Sequence, residues 1–201
     1  FQIFYHYGPF LNYIYGVKTS YNKFMPIYAL STGPGVSGVA VIRVSGKGTI
    51  EVIKKISGKT LPKPRLATVR KFYKSDDKYL IDEGILIWFP GPESYTGEDM
   101  AEFHVHGSKA VIDALHESLS KIEGCRLAEP GEFTKIAFQN GKINLLKAES
   151  ISDLIYPEAE IQRKQAINIM SGRSSNKFNS LRERLIKILS NIEAKIDFPE
   201  D

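Results

Sequence analysis

Before Asn144, the spacing of hydrophobic residues switches repeatedly between that of strands and that of helices. Runs rich in β-branched and aromatic residues predict strands at 27–30, 39–46, 66–73, 80–89 and 101–107. Apolar residues three or four apart predict helices at 49–56 and 108–122, and a shorter helix that ends near Asn140. This mixed order of strands and helices predicts an α+β fold.

From Asn144 onward the hydrophobic pattern is helical throughout. Apolar residues form one stripe over 145–155, and Pro157 either kinks that helix or starts a new one. Gly172 separates a second helix from a long third helix, whose apolar residues all fall on one face. An all-helical segment therefore follows the mixed domain.

The change of pattern predicts a boundary between a mixed domain, residues 25–143, and a helical segment, residues 144–201. Residues 1–24 differ from both, because they are crowded with Phe and Tyr and contain no Asp or Glu. Lack of acidic residues is one mark of a transit peptide, although such peptides are usually rich in Arg and Ser. Residues 1–24 are thus interpreted as an extension or a presequence remnant.

Composition narrows the class of protein only slightly. Hydrophobic residues make up 42% and charged residues 25% of the chain, as in ordinary globular proteins. The net charge of +4 is compatible with a nucleic-acid partner but does not indicate one, because the charges are not clustered in the sequence. The single cysteine, Cys125, excludes an internal disulfide framework and is interpreted as structural. No apolar run has the length of a membrane span.

The stretch 89–107 carries the strongest pattern of candidate chemistry. It opens with a Pro-Gly-Pro loop and closes with an alternating run that places Glu102, His104 and His106 on one face of a strand. A carboxylate and two imidazoles there are costly unless they meet water, a partner or a ligand. Two interpretations stay open: a half-exposed strand with a polar outer face, or a ligand-binding strand. A zinc site on His104 and His106 would need further ligands, which are not evident, so no metal site is predicted.

Two other stretches have features that are found in binding sites, and the second is rejected. Arg43 interrupts an apolar strand, where a cation usually pairs with a carboxylate or reaches solvent at an edge, and less often binds an anionic ligand. Gly58-Lys59-Thr60 resembles the end of a phosphate-binding P-loop, but Ile53 stands where the first Gly belongs. The tract before it also has helical spacing, whereas a P-loop follows a strand, so a surface turn is predicted.

Several short motifs resemble, in order and spacing, the N-terminal part of the MnmE (TrmE) family of tRNA-modification GTPases. They are the tracts 27–31 and 38–46, Phe-Pro-Gly-Pro at 89–92, Ser-Tyr-Thr-Gly-Glu-Asp at 94–99, Glu-Phe-His-Val-His-Gly at 102–107, Pro-Gly-Glu-Phe-Thr at 130–134, Ala-Phe-Gln-Asn-Gly-Lys at 137–142, and the tracts 149–155 and 196–198. The sequences Phe-Pro-Gly-Pro and His-Val-His-Gly are most similar to those of the mitochondrial branch. This resemblance implies a mitochondrial location, with a cytoplasmic one as the alternative.

The resemblance implies that different domains of the whole protein have different functions. The N-terminal domain of the family resembles the folate-binding fold of the glycine-cleavage aminomethyltransferase and forms a homodimer. A helical domain follows, into which a GTPase domain, with its GTP, Mg²⁺ and K⁺, is inserted. This chain is expected to end about where that insertion begins. It would then be the folate-binding, dimerising part, and whether it has an enzymatic activity of its own stays open.

The same resemblance implies a reaction for the whole protein. It would modify the wobble uridine of tRNA together with an MnmG-type flavoprotein partner, and a tetrahydrofolate derivative, 5-formyl or 5,10-methylene, would donate the one-carbon unit. The alternative is a stand-alone, folate-dependent enzyme similar to the aminomethyltransferases. The helical segment after Asn144 favours the GTPase family.

Three positions match the family's formyl-tetrahydrofolate contacts: Arg43, Glu102 and Lys142. A pterin presents an amino group and a ring N–H side by side, and one carboxylate can accept both hydrogen bonds. Glu102 is predicted to do so and to have no structural partner. Arg43 and Lys142 are expected to meet carbonyl or carboxylate oxygens of the ligand, and no catalytic residue is assigned.

Overall fold

The computed structural model describes residues 25–33, 35–58, 60–155 and 159–197. Packing divides the chain into two compact units. The first comprises the described residues up to Trp88 together with Ala101–Leu127. The second comprises Phe89–Met100 together with the described residues from Ala128 onward. The interpretations of residues 1–24 and of Pro157 lie outside the described residues, and the predicted boundary between 143 and 144 stays a prediction.

A six-stranded sheet forms most of the first unit, with the strand order β3-β4-β5-β2-β1-β6. The strands are β1 Ile27–Leu30, β2 Ser37–Ser45, β3 Thr68–Tyr73, β4 Leu80–Phe89, β5 Met100–Gly107 and β6 Arg126–Leu127. β1 runs antiparallel to β2 and parallel to β6, and β3 runs antiparallel to β4. The five strands expected from the sequence are confirmed. β6 was not predicted, because two residues are too few to show a period.

Two helices pack on one face of this sheet, α1 Thr49–Ser57 and α2 Lys109–Ser120. α1 ends at Gly58, whose left-handed backbone (φ 61°) lets its N–H donate to the Lys54 carbonyl at 2.9 Å. α2 begins after Ser108, whose side-chain oxygen accepts from the Val111 N–H at 3.3 Å. Both predicted helices are confirmed.

The core of the first unit lies between these helices and one face of the sheet. Phe72 of β3 and Phe103 of β5 are fully buried and meet edge to face, with ring centroids 5.4 Å apart. Val52 and Ile53 of α1 and Leu115 of α2 belong to the same cluster. Alternate residues of β2 and β5 enter this core, so their other residues point to the opposite face of the sheet.

The second unit combines four helices with the connection between β4 and β5, residues 89–100, whose two end residues still belong to those strands. Its helices are α3 Glu132–Gln139, α4 Leu145–Ile155, α5 Glu160–Met170 and α6 Arg173–Asp197. The loop packs on α3: Tyr95 and Thr134 share a hydroxyl hydrogen bond at 2.9 Å, and Asn140 Nδ2 donates to the Thr96 carbonyl at 2.7 Å. Gly172 separates α5 from α6, as predicted. Among the helices of the described ranges, none is long and apolar enough to cross a membrane.

His116 of α2 makes stability depend on pH. Its ring lies edge to face with Tyr28 at 5.4 Å, and its Nε2 is buried with no hydrogen-bond partner among the described residues. Burial lowers the pKa of His116, although Asp113 acts in the opposite direction. The neutral form is therefore favoured in the folded state, and the unfolded chain binds the proton more readily. This contribution is fully present above the unfolded-state pKa of about 6.5 and declines as pH falls from there through the lower folded-state pKa.

We accordingly expect His116→Phe to flatten the pH dependence of the free energy of unfolding. Phenylalanine keeps the ring contact with Tyr28 but has no proton to bind. Urea unfolding at pH 7.5 and pH 5.5 measures the difference. An unchanged difference between the two pH values in the variant would show that His116 is not responsible for it.

Candidate functional site

Arg43 and Glu102 lie on adjacent strands, β2 and β5, on the face of the sheet opposite the core. On β2, Ile42 and Val44 are fully buried whereas Arg43 between them is half-buried. On β5, Phe103 is fully buried whereas Glu102 is half-buried. The predicted alternation of β5 is confirmed. It arises because successive strand residues point to opposite faces.

Arg43 and Glu102 form an ion pair. Arg43 donates from Nε at 3.1 Å and from Nη2 at 2.8 Å to the same carboxylate oxygen, Glu102 Oε1. The side chains are 26% and 15% exposed, so water screens the pair only in part. The prediction that Glu102 has no structural partner is wrong, because the pairing of β2 with β5 places a guanidinium beside it.

The second oxygen of Glu102 is less engaged. Within the described ranges, Oε2 has one polar contact, with His104 Nε2 at 3.4 Å, which is too long for a strong hydrogen bond. Arg43 thus holds the carboxylate in a fixed orientation through Oε1 and leaves Oε2 able to accept. A fixed, half-buried carboxylate of this kind suits recognition of a ligand that presents amino or ring N–H donors.

Lys142 belongs to the second unit, where it follows α3. Its backbone N–H donates to the Ala137 carbonyl at 2.9 Å, which closes the turn after the helix. Its side-chain stem passes Gly97 of the loop 89–100, and a Cβ at Gly97 would lie 3.2 Å from Lys142 Cγ. Gly97 also has a left-handed backbone, φ 79°. Both this backbone conformation and the close Lys142 side chain favour glycine at position 97. Of the three predicted site residues, the structure brings Arg43 and Glu102 together within the first unit.

His106 is held by a residue that sequence reasoning missed, Asp82 of β4. Asp82 Oδ2 accepts from the His106 backbone N–H at 2.8 Å, and Oδ1 lies 2.9 Å from His106 Nδ1. Burial would raise the pKa of Asp82, but hydrogen bonds from His106 outweigh it and lower that pKa. An acidic residue early in a predicted strand is a weak signal, because strand pairing decides what it meets. In the part of the chain that the structure describes, no three His, Cys, Asp or Glu residues cluster as a metal site would require.

The structure also bears on the sequence-based interpretations of the tract at Gly58 and of Cys125. Gly58 follows helix α1 rather than a strand, so the strand–loop–helix order of a P-loop is lacking there. Cys125 is half-buried and packs against the core of the first unit. Burial raises the pKa of its thiol to about 11, which disfavours the reactive thiolate. The structural interpretation of Cys125 agrees with this environment.

Comparison with known proteins agrees with the pattern of motifs. The family model for the GTP-binding protein TrmE N-terminus matches residues 26–142. The model for the MnmE helical domain matches residues 145–201. Together they cover the mixed region and the helices that follow it.

Individual relatives point to the same family. A tRNA modification GTPase MnmE from Pelagibacter ubique (strain HTCC1062) is 71% identical over 177 residues, which are 88% of this chain and 40% of the relative. The MnmE of a Wolbachia strain from Culex pipiens is 52% identical over 87% of this chain and 39% of its own length. A mitochondrial 5-taurinomethyluridine tRNA synthase subunit from Danio rerio is 45% identical over 87% of this chain and 35% of its own length. The chain spans about two fifths of the length of such relatives. It therefore belongs to the MnmE/TrmE family of tRNA-modification GTPases, of which it carries the N-terminal domain and the start of the helical domain.

Proposed function

We propose that this chain is the tetrahydrofolate-binding and dimerisation region of a GTPase that takes part in C5 modification of the wobble uridine of tRNA. The observation that carries the proposal is the Arg43–Glu102 pair, a half-buried carboxylate held at 2.8 Å on the sheet face that the core leaves free. Membership of the MnmE/TrmE family supports it further.

The residues of this site fit a folate in their chemistry. A pterin edge carries an amino group beside a ring N–H, and Oε2 of Glu102, which Arg43 leaves able to accept, has two lone pairs for these donors. Arg43 orients Glu102 and has a guanidinium with five N–H donors, of which two bind Oε1. Lys142 matches the family's third folate contact, and we propose that its ammonium meets a carbonyl or carboxylate oxygen of the ligand. When bound, 5-formyl- or 5,10-methylene-tetrahydrofolate would supply the one-carbon unit.

The partners follow from the family. We propose a homodimer of this region, tRNA as the macromolecular substrate and an MnmG-type flavoprotein as the protein partner. GTP, Mg²⁺ and K⁺ would belong to a GTPase domain elsewhere in the whole protein. A bacterial relative is 71% identical and the mitochondrial one 45%, which supports a cytoplasmic location better than a mitochondrial one.

A stand-alone aminomethyltransferase-like enzyme is the weaker alternative. The model for the MnmE helical domain covers residues 145–201, and this helical continuation supports the GTPase family instead.

Calorimetric titration with 5-formyltetrahydrofolate tests the proposal. We expect saturable binding with one ligand per chain, because each chain carries one Arg43–Glu102 pair. p-Aminobenzoylglutamate, which lacks the pterin, is the matched control and should bind much more weakly, since Glu102 would have no donor edge to recognise. Absence of saturable heat with the full ligand would contradict the proposal, and equal affinity for the two compounds would remove Glu102 from the site.

A further inference from the structure

A second site candidate lies at the other side of the first unit. A groove of about 800 Å³ is bordered by the end of α1, the turn between β3 and β4, and the end of α2. Each of these three elements contributes lysine: Lys54 and Lys55 from α1, Lys78 from the turn, and Lys121 from the end of α2. The groove shares no residue with the Arg43–Glu102 pair. Lysines far apart in the sequence thus converge on one concave surface.

Two of the lysines have carboxylate partners. Lys54 Nζ lies 2.8 Å from Glu51, and Lys121 Nζ lies 2.7 Å from Glu117 and 2.9 Å from Asp76. The hydrogen bonds that Lys121 donates to Glu117 and to Asp76 raise its pKa, so this lysine stays charged. All of these pairs are solvent-exposed, and such pairs are weak. An ammonium has three donors and can keep one carboxylate while it meets another anion.

The other two lysines are the ones most able to bind. Among the described residues, neither Lys55 nor Lys78 has an ion-pair partner. Thr60 and Tyr73 also line the groove, and their hydroxyl groups are hydrogen-bond donors. The carbonyl end of α1 is the negative end of the helix dipole, and Lys55 in its last turn offsets that charge.

We propose that this groove binds the phosphodiester backbone of RNA. The groove is open to solvent, and the described residues that line it include four lysines against one carboxylate, that of Asp76. Lysines on flexible stems neutralise phosphates without reading the sequence. The identity of the polyanion as RNA rests on the proposed function, since a tRNA-modifying protein must hold its substrate. The groove would position the RNA, while the Arg43–Glu102 site serves the folate.

The test compares two variants of equal charge. Lys55→Gln combined with Lys78→Gln removes from the groove the two lysines that lack an ion pair among the described residues. Lys63→Gln combined with Lys109→Gln removes two exposed lysines of the same unit that do not line it. Fluorescence anisotropy with a labelled RNA hairpin measures affinity over a range of salt concentrations. We expect the groove variant to bind roughly tenfold more weakly than the unmodified chain, with a salt dependence shallower by about 1 to 2 in log–log slope. The control variant should bind within about twofold of the unmodified chain.

Equal weakening by both variants would overturn the inference, because net charge rather than the groove would then decide binding. Failure of the unmodified chain to bind the hairpin would overturn it as well. Titration of the same variants with 5-formyltetrahydrofolate separates this inference from the proposed function, since the groove variant should keep the affinity of the unmodified chain. If the unmodified chain binds RNA but not folate, and the groove variant binds RNA more weakly, the groove would be supported and the folate site rejected.

Discussion

Replacement of Glu102 by glutamine is expected to weaken the binding of 5-formyltetrahydrofolate by roughly thirtyfold to thousandfold, or about 2–4 kcal/mol. Glutamine keeps the shape of the side chain but turns one acceptor into a donor, which would face a donor of the pterin. The charge that strengthens both hydrogen bonds is also lost. The loss is therefore larger than that of a single neutral hydrogen bond.

Because Glu102 pairs with Arg43, Glu102→Gln is expected to affect stability as well as ligand binding. The amide oxygen of glutamine can still accept from Arg43, and the pair is partly exposed, so we expect the melting temperature to fall by only a few degrees. Fluorescence titration and a thermal melt on the same sample separate binding from stability.

Glu83→Gln is the matched control for Glu102→Gln. Glu83 is 55% exposed and lies 3.9 Å from Lys71, so the same change of charge occurs at an exposed pair instead of a half-buried one. Folate affinity should be unchanged in this control. Unchanged affinity in Glu102→Gln as well would exclude the pterin role of Glu102. A collapse of folding with normal affinity per folded molecule would make Glu102 a structural residue.

The second large effect is expected for Phe103→Ala, which should lower the free energy of unfolding by about 3–5 kcal/mol. Phe103 is fully buried in β5 and contacts Phe72 at 5.4 Å between ring centroids. Truncation removes this contact and leaves a cavity that a sheet packed under two helices can close only in part. A loss of this size is a large share of the stability of a typical domain.

Urea unfolding followed by circular dichroism measures the change in Phe103→Ala. Phe138→Ala removes the same atoms from a side chain that is 45% exposed, and it should cost about 1 kcal/mol or less. Equal losses in the two variants would show that Phe103 does not lie in a close-packed core.

Local pattern in the sequence determined the elements of this protein. The sequence predicted the helices and every strand of the sheet except β6. These elements are predictable because apolar residues recur every 2 residues along a strand and every 3.6 along a helix. The same period placed Glu102 and His104 on one face of β5 and Phe103 on the other. Helix ends at Gly58 and Gly172 were also predictable, since glycine readily takes the left-handed backbone found there. The motifs around Arg43, Glu102 and Lys142 identified the family that the comparisons show.

Only the tertiary structure decided which elements are neighbours. The pairing of β2 with β5 brings Arg43 to Glu102 across 59 positions of sequence, and no local period contains that information. The approach of β4 to β5 requires glycine at Gly84, because a Cβ there would strike the carbonyl oxygen of His104. The loop 89–100 packs with the helices of the second unit although it lies between two strands in the sequence. Periodicity reports which face of an element is buried, whereas contacts distant in the chain depend on how complete elements pack.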